Sequence, residues 1–206
     1  MNSELASFAS ALDVSRETLG LFQKYADLLV RWNRRINLVS AATEQNLWTR
    51  HFLDSAQLIR LVEPNGHWVD LGSGAGFPGL VVAALCKSKS NVRFTLIESD
   101  QRKATFLRAV ARELNLRVRV IADRVEALPP QNADILSARA LASLDTLLLY
   151  SDRHRKPEGV AVFPKGENVQ AEIDEALERW RFDCKKHPSL TDPGATILCI
   201  GEIARV

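Results

Sequence analysis

The stretch VDLGSGAGFPG, residues 69–79, places four glycines directly after a short apolar run. Glycine in such density costs backbone entropy, so it indicates a backbone that must turn sharply or lie close to another group. Gly72 suits the turn, whereas Gly74 and Gly76 lack the β-carbon that would obstruct a ligand. A tight turn without a ligand is the simpler alternative. The number and position of the glycines favour a nucleotide-type site.

The spacing of the glycines does not by itself choose the nucleotide. Counted from Gly72 the pattern is GxGxG, and Phe77 stands where a dinucleotide loop has its third glycine. An offset match from Gly74 to Gly79 nevertheless satisfies GxGxxG. Pro78 suits the first position of a following helix, because its missing N–H is not needed there. NAD and S-adenosylmethionine both remain open on spacing alone.

Two further positions have the polar groups that an adenosine-containing cofactor needs. Glu98 ends a predicted strand and can accept hydrogen bonds from ribose hydroxyls. The run from Asp123 to Glu126 follows the next predicted strand, near the expected place of an adenine ring. An ordinary charge at a strand end is the alternative interpretation of both carboxylates. Adenosine is common to both cofactors, so these residues do not choose between them.

The glycine loop needs a sheet to position it, and the hydrophobic pattern supplies one. Predicted strands cover 67–70, 92–98, 118–122, 134–138, 159–163, 181–185 and 196–203. Predicted helices cover 19–36, 43–61, 79–85, 100–114, 144–152 and 166–180. Strands that alternate with helices indicate βαβ units and a parallel sheet. The sequence therefore predicts an α/β fold with a seven-stranded, doubly wound, Rossmann-like sheet, closed at one edge by an antiparallel hairpin.

Length and composition set the frame for this fold. The chain has 206 residues, 46% of them hydrophobic and 25% charged, which suits one domain with an extension. We predict a helical extension at 1–62 and a cofactor-binding domain at 63–206. No apolar run approaches the roughly 20 residues of a membrane span, and the N-terminus lacks the pattern of a secretory signal. Three scattered cysteines predict no metal site and a reducing compartment, the cytoplasm.

The net charge of +2 is too small to indicate nucleic-acid binding, but its distribution allows it. Between Arg102 and Arg124 lie seven basic residues and two acidic ones. A solvated face is the ordinary interpretation of any one basic cluster. Together they permit a basic surface for an anionic polymer.

Blocks on both sides of the glycine loop make the pattern more specific. WNRRINLVSA (32–41) and RHFLDS (50–55) precede DLGSGAGFPG (70–79), and SARA (137–140) and FPKG (163–166) follow it. In these blocks the sequence resembles the RsmG (GidB) family, and the resemblance extends over nearly the whole chain, from about Trp32 to the last predicted strand. The resemblance implies a class I methyltransferase fold and the cofactor S-adenosylmethionine. It also implies methylation of guanine N7 in the 16S ribosomal RNA of the small subunit, free or being assembled, by an enzyme that we expect to be a monomer.

The resemblance and the predicted sheet together assign candidate residues. The cofactor-binding candidates are Gly72, Gly74, Phe77, Glu98, Val125, Glu126 and Arg139. The RNA-binding candidates are Asn37, His51 and Lys165. A structural role is the alternative for each of these side chains: a histidine hydrogen-bonded inside a helix, or a cation that caps a carbonyl or pairs with an acid.

The chemistry implied by the resemblance agrees with what the sequence lacks. Guanine N7 is a lone-pair acceptor that needs no deprotonation, so the enzyme mainly aligns and desolvates the reactants. No motif demands a catalytic base, and no cysteine follows a strand as a methylating nucleophile would. The catalytic residues stay unassigned. A small-molecule methyltransferase, an NAD-dependent oxidoreductase and a non-catalytic RNA-binding assembly factor are the alternatives.

Overall fold

Seven strands form one sheet at the centre of the molecule. The structure is a computed structural model, which describes residues 3–206 and every side chain among them except those of residues 3, 4, 6 and 7. The strands are β1 (Gly66–Leu71), β2 (Val92–Ile97), β3 (Val118–Ile121), β4 (Ala133–Ala138), β5 (Arg155–Lys165), β6 (Trp180–Pro188) and β7 (Thr196–Arg205). Their order in the sheet is β3-β2-β1-β4-β5-β7-β6.

Helices cover both faces of this sheet and precede it in the chain. The α-helices are α1 (Ser3–Leu12), α2 (Arg16–Ile36), α3 (Ala41–Glu44), α4 (Asp54–Ala56), α5 (Gly79–Leu85), α6 (Gln101–Glu113), α7 (Leu144–His154) and α8 (Val169–Ala176). A π-helical segment covers Trp48–Leu53, and 3-10 turns cover Gln57–Arg60 and Val125–Ala127.

The sheet has the topology that the sequence predicts. Strands β1 to β5 pair parallel with one another, and β7 pairs antiparallel with both β5 and β6. The predicted α/β fold with a doubly wound, seven-stranded sheet and an antiparallel hairpin at one edge is confirmed. The strand order reverses between β1 and β4, which is where open α/β sheets bind their ligands.

Apolar side chains cover the sheet on both sides because parallel strands are buried on both faces. On one side α2, α5 and α6 share a core around Phe22, Phe52 and Phe106. On the other side α7 and α8 pack around Leu148 and Phe163. The two cores hold the strand ends, and therefore the loops between them, in fixed positions.

The segment before the sheet differs from the single helix that the sequence predicts at 43–61. It is broken into α3, the π-helical segment, α4 and a 3-10 turn. Trp48 and Phe52 are buried on one side of the π-helical segment, where their rings stack with centroids 4.9 Å apart. Such π-helical geometry is rare and frequently lies at functional sites.

The helix predicted at 166–180 is also shorter than expected. Helix α8 ends at Ala176, and Trp180 begins β6 instead of ending the helix. The indole N–H of Trp180 donates to Asp145 Oδ1 at 3.0 Å, and its ring is buried in the core beside α7. Burial of this large side chain outweighs the weak helical pattern around it.

The N-terminal helices pack directly on the glycine loop. Tyr25 of α2 is fully buried, its hydroxyl donates to the carbonyl of Ala75 at 2.5 Å, and its ring stacks on Phe77. Residues 1 and 2 of the predicted extension lie outside the described residues, and the division at residue 62 stays a prediction. Within the described part of the chain no helix combines the length and apolar character needed to span a membrane.

Gly76 and Gly20 give a matched test of this packing. Gly76 has φ +91°, and a β-carbon there would overlap the Tyr25 hydroxyl and Leu80. We expect Gly76→Ala to destabilise the protein by about 3 kcal/mol or more through backbone strain and overpacking. Gly20 lies inside α2, and no atom comes within 4 Å of the position that an added methyl group would occupy, so Gly20→Ala should stabilise by about 0.5–1 kcal/mol.

Urea unfolding of the two variants and the wild type measures both effects. A Gly76→Ala protein as stable as the wild type would show that α2 and the glycine loop do not pack as described.

Candidate functional site

The site lies at the carboxyl ends of β1 and β4, where the strand order reverses. Leu71, the last residue of β1, pairs with Ala138, the last residue of β4. The next residue of each chain segment is Gly72 and Arg139, respectively. The sheet therefore brings together two predicted cofactor-binding residues that lie far apart in sequence.

Each glycine of the loop has its own reason to lack a side chain. Gly72 and Gly74 have φ of +61° and +56°, a left-handed conformation that favours glycine. A β-carbon on Gly72 would come within 2.5 Å of Leu141, whereas one on Gly74 would meet only the carbonyl of Gly72, at 3.8 Å. Gly74 thus exposes bare backbone to open space, and side chains of the core fill the space beside Gly76.

The interpretation of Gly76 as a position that admits a ligand is therefore wrong. Its missing side chain makes room for Tyr25 and Leu80 inside the core, and it serves loop packing instead.

A buried carboxylate holds the loop from behind. Asp70 is completely buried at the end of β1. Its Oδ1 accepts the hydroxyl of Ser137 at 2.6 Å, and its Oδ2 accepts the backbone N–H of Gly79 at 3.3 Å. Burial raises the pKa of Asp70 to about 6, against the lowering effect of the hydrogen bonds from Ser137, Ser73 and Gly79. Asp70 is not among the residues predicted from the sequence, although it lies two positions before the first glycine of the loop.

Glu98 lies directly beside the glycine loop. It follows the last residue of β2 and is 8% exposed. Its Oε2 accepts the N–H of Gly74 at 2.8 Å, and its Oε1 accepts the N–H of Asp100 at 2.8 Å. Each carboxylate oxygen can accept a further bond, so Glu98 can both shape the loop and receive ribose hydroxyls.

Two adjoining cavities are lined by all seven predicted cofactor-binding residues. The larger has a volume of about 390 Å³ and is lined by Gly72, Gly74, Phe77, Glu98 and Arg139, among others. The smaller, of about 100 Å³, is lined by Val125 and Glu126 together with Tyr150, whose hydroxyl donates to Glu126. Gly72, Ser99 and Leu141 border both cavities, so the two lie side by side, and together they are called the cleft.

Arg139 forms one wall of this cleft and is fixed by the π-helical segment. Its Nη1 donates to Asp54 Oδ2 at 3.0 Å and to the carbonyl of Arg50 at 3.1 Å. Its Nη2 lies 2.9 Å from His51 Nδ1, and its Cζ lies 5.1 Å from the centre of the Phe77 ring. The planar guanidinium is held in one orientation because both Nη atoms are hydrogen-bonded and its face lies against the Phe77 ring.

His51 stacks on Phe77 with ring centres 4.8 Å apart. Burial, followed by the nearby charges of Arg139 and Arg50, lowers the pKa of His51 to about 4. The imidazole is therefore neutral at pH 7. Because Arg139 has only donors, Nδ1 is the acceptor, and Nε2 carries the hydrogen of the neutral ring.

A third cavity adjoins the cleft, and Arg139 and His51 lie between the two. It has a volume of about 380 Å³, and the loop between β6 and β7 lines its outer side. Lys165 lies there, 2.6 Å from Glu172 Oε2 and 3.1 Å from the carbonyl of Ala142. Thr43, His51, Arg139 and Ala140 border this cavity and the larger part of the cleft alike.

Asn37 is the one predicted site residue that the structure does not bring to these cavities. It ends α2 in a left-handed conformation, with φ 37°, and its side chain is exposed. The nearby Asn33, which the sequence analysis missed, has the organising role. Its Oδ1 accepts the N–H groups of Leu38 and Val39 at 2.7 and 3.0 Å, which shapes the cleft wall at 38–40.

The strand order and the glycine-lined cleft at the switch point are those of the class I methyltransferase fold. Among solved structures, a "SAM dependent methyltransferase from Aquifex aeolicus" superposes with a TM-score of 0.56. The superposition covers 72% of this chain and 90% of the other, at 14% sequence identity. At that identity the likeness shows the fold alone.

The sequence comparisons name the family. Residues 18–196 match the family described as "GidB: rRNA small subunit methyltransferase G". "Ribosomal RNA small subunit methyltransferase G" of Cereibacter sphaeroides is 51% identical over 208 residues, covering 100% of both chains. The protein of the same name from Ruegeria sp. is 50% identical, covering 95% of this chain and 96% of the other. This chain belongs to the GidB family, and the predicted resemblance is confirmed.

The raised pKa of Asp70 predicts a pH-dependent stability. The Asp70 carboxyl has a pKa of about 6 in the folded protein and an ordinary pKa of 3.8 in the unfolded chain, so the folded protein binds this proton more tightly. The free energy of unfolding therefore falls as pH rises from about 4 to about 6. Asp70→Asn has no such proton to lose. Relative to this variant, we expect the wild type to lose on the order of 3 kcal/mol between pH 4 and pH 7.

Unfolding titrations at several pH values measure this difference. Asp100→Asn is the control of opposite sign: hydrogen bonds from Arg102 lower the pKa of Asp100 to about 2, so the wild type should gain stability relative to this variant as pH rises from about 2 to about 4. A constant difference between wild type and Asp70→Asn across the range would contradict the buried, protonated carboxyl.

Proposed function

We propose that this protein transfers a methyl group from S-adenosylmethionine to N7 of a guanine in the 16S ribosomal RNA of the small subunit. The observation that carries the proposal is the continuous arrangement of two sites. The glycine-lined cleft and the third cavity share Arg139 and His51 as lining residues. Membership of the GidB family supports the choice of a methyl donor and a ribosomal RNA acceptor.

The residues present fit the proposed cofactor. Gly74 leaves open space beside its backbone, where an added side chain would extend into the cleft. Glu98 is held by two backbone N–H groups in the position to accept ribose hydroxyls. Val125 and Glu126 border the smaller cavity, which we assign to the adenine end. Arg139 and Phe77 then border the end of the cleft where the bound donor supplies an electrophilic methyl group.

The side chains beside this end of the cleft suit a reaction that needs no general base. Guanine N7 attacks with its own lone pair. His51 is neutral, but its Nδ1 already accepts from Arg139, and both carboxylate oxygens of Asp54 accept hydrogen bonds. What remains for the protein is to align the two reactants and exclude water, which can supply a large part of the rate enhancement.

Three further assignments accompany the proposed reaction. His51 and Lys165 border the cavity proposed for the acceptor, and Asn37 lies outside it on an exposed surface, where it can meet only a more distant part of the RNA. The partner is small-subunit RNA, free or within an assembling subunit. We propose a monomer that acts in the cytoplasm, where that RNA is assembled.

Methyl transfer from labelled S-adenosylmethionine tests the reaction directly. The wild-type protein should label N7 of a guanine in unmodified small-subunit RNA, and nuclease mapping with mass spectrometry identifies the position and atom. Label on a small molecule but on no RNA would replace the proposal with a small-molecule methyltransferase. RNA binding without any cofactor affinity would indicate an assembly factor instead.

Gly74→Val tests the cofactor cleft. A valine at φ +56° is strained, and its side chain extends into the cleft, so we expect at least a 100-fold weaker affinity for S-adenosylhomocysteine by calorimetry. Gly201→Val is the matched control, because Gly201 lies in β7 with no atom within 4 Å of an added β-carbon. Wild-type affinity in Gly74→Val would show that the cofactor binds elsewhere, and binding of NADH alone would show a different cofactor.

A further inference from the structure

The cavity beyond Arg139 carries charges that are almost all engaged within the protein. Three acids border it: Asp54, Glu172 and Asp192. Asp54 accepts bonds on both oxygens, from Gln57 and Thr191 on Oδ1 and from Arg139 on Oδ2. Both oxygens of Asp54 therefore already accept hydrogen bonds within the protein.

Both oxygens of Asp192 likewise have a partner within the protein, whereas only Oε2 of Glu172 has one. Asp192 accepts Gly194 N–H on Oδ1 and pairs with Arg50 through Oδ2 at 2.6 Å. Glu172 Oε2 accepts the N–H of Leu144 at 2.7 Å and pairs with Lys165. Within residues 3–206, Glu172 Oε1 is the one carboxylate oxygen bordering this cavity that has no hydrogen-bond donor.

Lys165 has a similar remaining capacity. Its ammonium has three hydrogens: it donates one to the carbonyl of Ala142, and its nitrogen lies 2.6 Å from Glu172 Oε2 in an ion pair, which leaves capacity for a further donation. Its side chain is 10% exposed, and that of Glu172 is 25% exposed. The pair therefore presents one donor and one acceptor, side by side, in a largely desolvated place where unmatched polar groups are costly.

This donor and acceptor match one nucleobase edge. Guanine presents O6 as an acceptor next to N1–H and N2–H₂ as donors, and an enzyme that acts on an extruded base reads this Watson–Crick edge. Adenine presents the opposite order, an amino donor next to the N1 acceptor. It would turn a donor to the ammonium of Lys165 and an acceptor to the carboxylate of Glu172, so both contacts would be unfavourable.

The position of the pair also suits the orientation that the reaction needs. Glu172 lies on α8 and borders the third cavity but not the cleft, whereas Arg139 and His51 border both the third cavity and the cleft. In guanine, N7 lies on the opposite side of the ring from N2. A base whose N2 edge contacts Glu172 can therefore turn N7 towards the wall that adjoins the cofactor cleft.

We propose that Glu172 selects guanine, by accepting hydrogen bonds from N1–H and N2–H₂ of the target base on Oε1, while Lys165 contacts O6. The proposal rests on the proposed RNA methylation and names the residue that chooses its base. Glu172 is thus a specificity-determining residue of the acceptor cavity.

Replacement of the target guanosine by inosine tests the proposal, because inosine keeps O6, N1–H and N7 but lacks the N2 amino group. The target position is first mapped with the wild-type protein, and RNAs with guanosine or inosine there are then compared by kcat/KM. We expect the wild type to prefer guanosine by about 10- to 100-fold, as for a lost hydrogen bond to a charged group. In Glu172→Gln this preference should fall to within about twofold.

Two controls separate base reading from a structural role. Glu172→Gln keeps an oxygen for the Leu144 N–H, and unchanged S-adenosylhomocysteine affinity will show that it folds. Lys165→Gln breaks the same ion pair but leaves the carboxylate. It should lower activity on both RNAs and keep the wild-type preference for guanosine.

The outcomes also separate this proposal from the one on which it rests. A wild-type protein that labels guanosine and inosine equally, or a Glu172→Gln variant that keeps the wild-type preference, would overturn the role of Glu172 alone. Absence of label on any guanine N7 would overturn the proposed methylation itself.

Discussion

The site depends on one buried carboxylate. Asp70 bonds to Ser137 of β4 and to the N–H of Gly79 at the start of α5, while it lies near the end of β1 itself. A buried carboxyl is tolerated only where hydrogen bonds satisfy it, and here those bonds link three elements at the point where the strand order reverses. These bonds fix the side of the glycine loop that faces the sheet, and the opposite side of the loop lines the cleft.

The N-terminal helices complete the same site instead of forming an appendage to it. Tyr25 bonds to the carbonyl of Ala75 and stacks on Phe77, and His51 stacks on Phe77 as well. Arg139, which follows β4, contacts His51 and the Phe77 ring. The aromatic ring of Phe77 is thus the common contact of the helical segment, the glycine loop and the residue that follows β4.

The charges around the two cavities are mostly paired within the protein. Arg139 pairs with Asp54 and Lys165 with Glu172, so their first role is to fix the walls of the site. Such partly buried pairs contribute little net stability, because desolvation offsets their attraction, but removal of one partner leaves an unpaired charge. Their effect is geometric: they fix the side chains that border the two cavities, and the Lys165–Glu172 pair leaves Glu172 Oε1 without a hydrogen-bond donor.

The amino-acid pattern alone determined the strand and helix alternation, the antiparallel edge and the glycine loop, since hydrophobic periodicity and glycine spacing are local properties of the chain. It also indicated Glu98, whose place after β2 follows from strand order. Only the tertiary structure decided that Gly76 faces Tyr25 and that the helix expected at 43–61 is broken. It alone showed that Glu172 Oε1 has no hydrogen-bond donor within the described residues. These features arise from contacts between residues distant in sequence, where burial and hydrogen-bond satisfaction outweigh local preference.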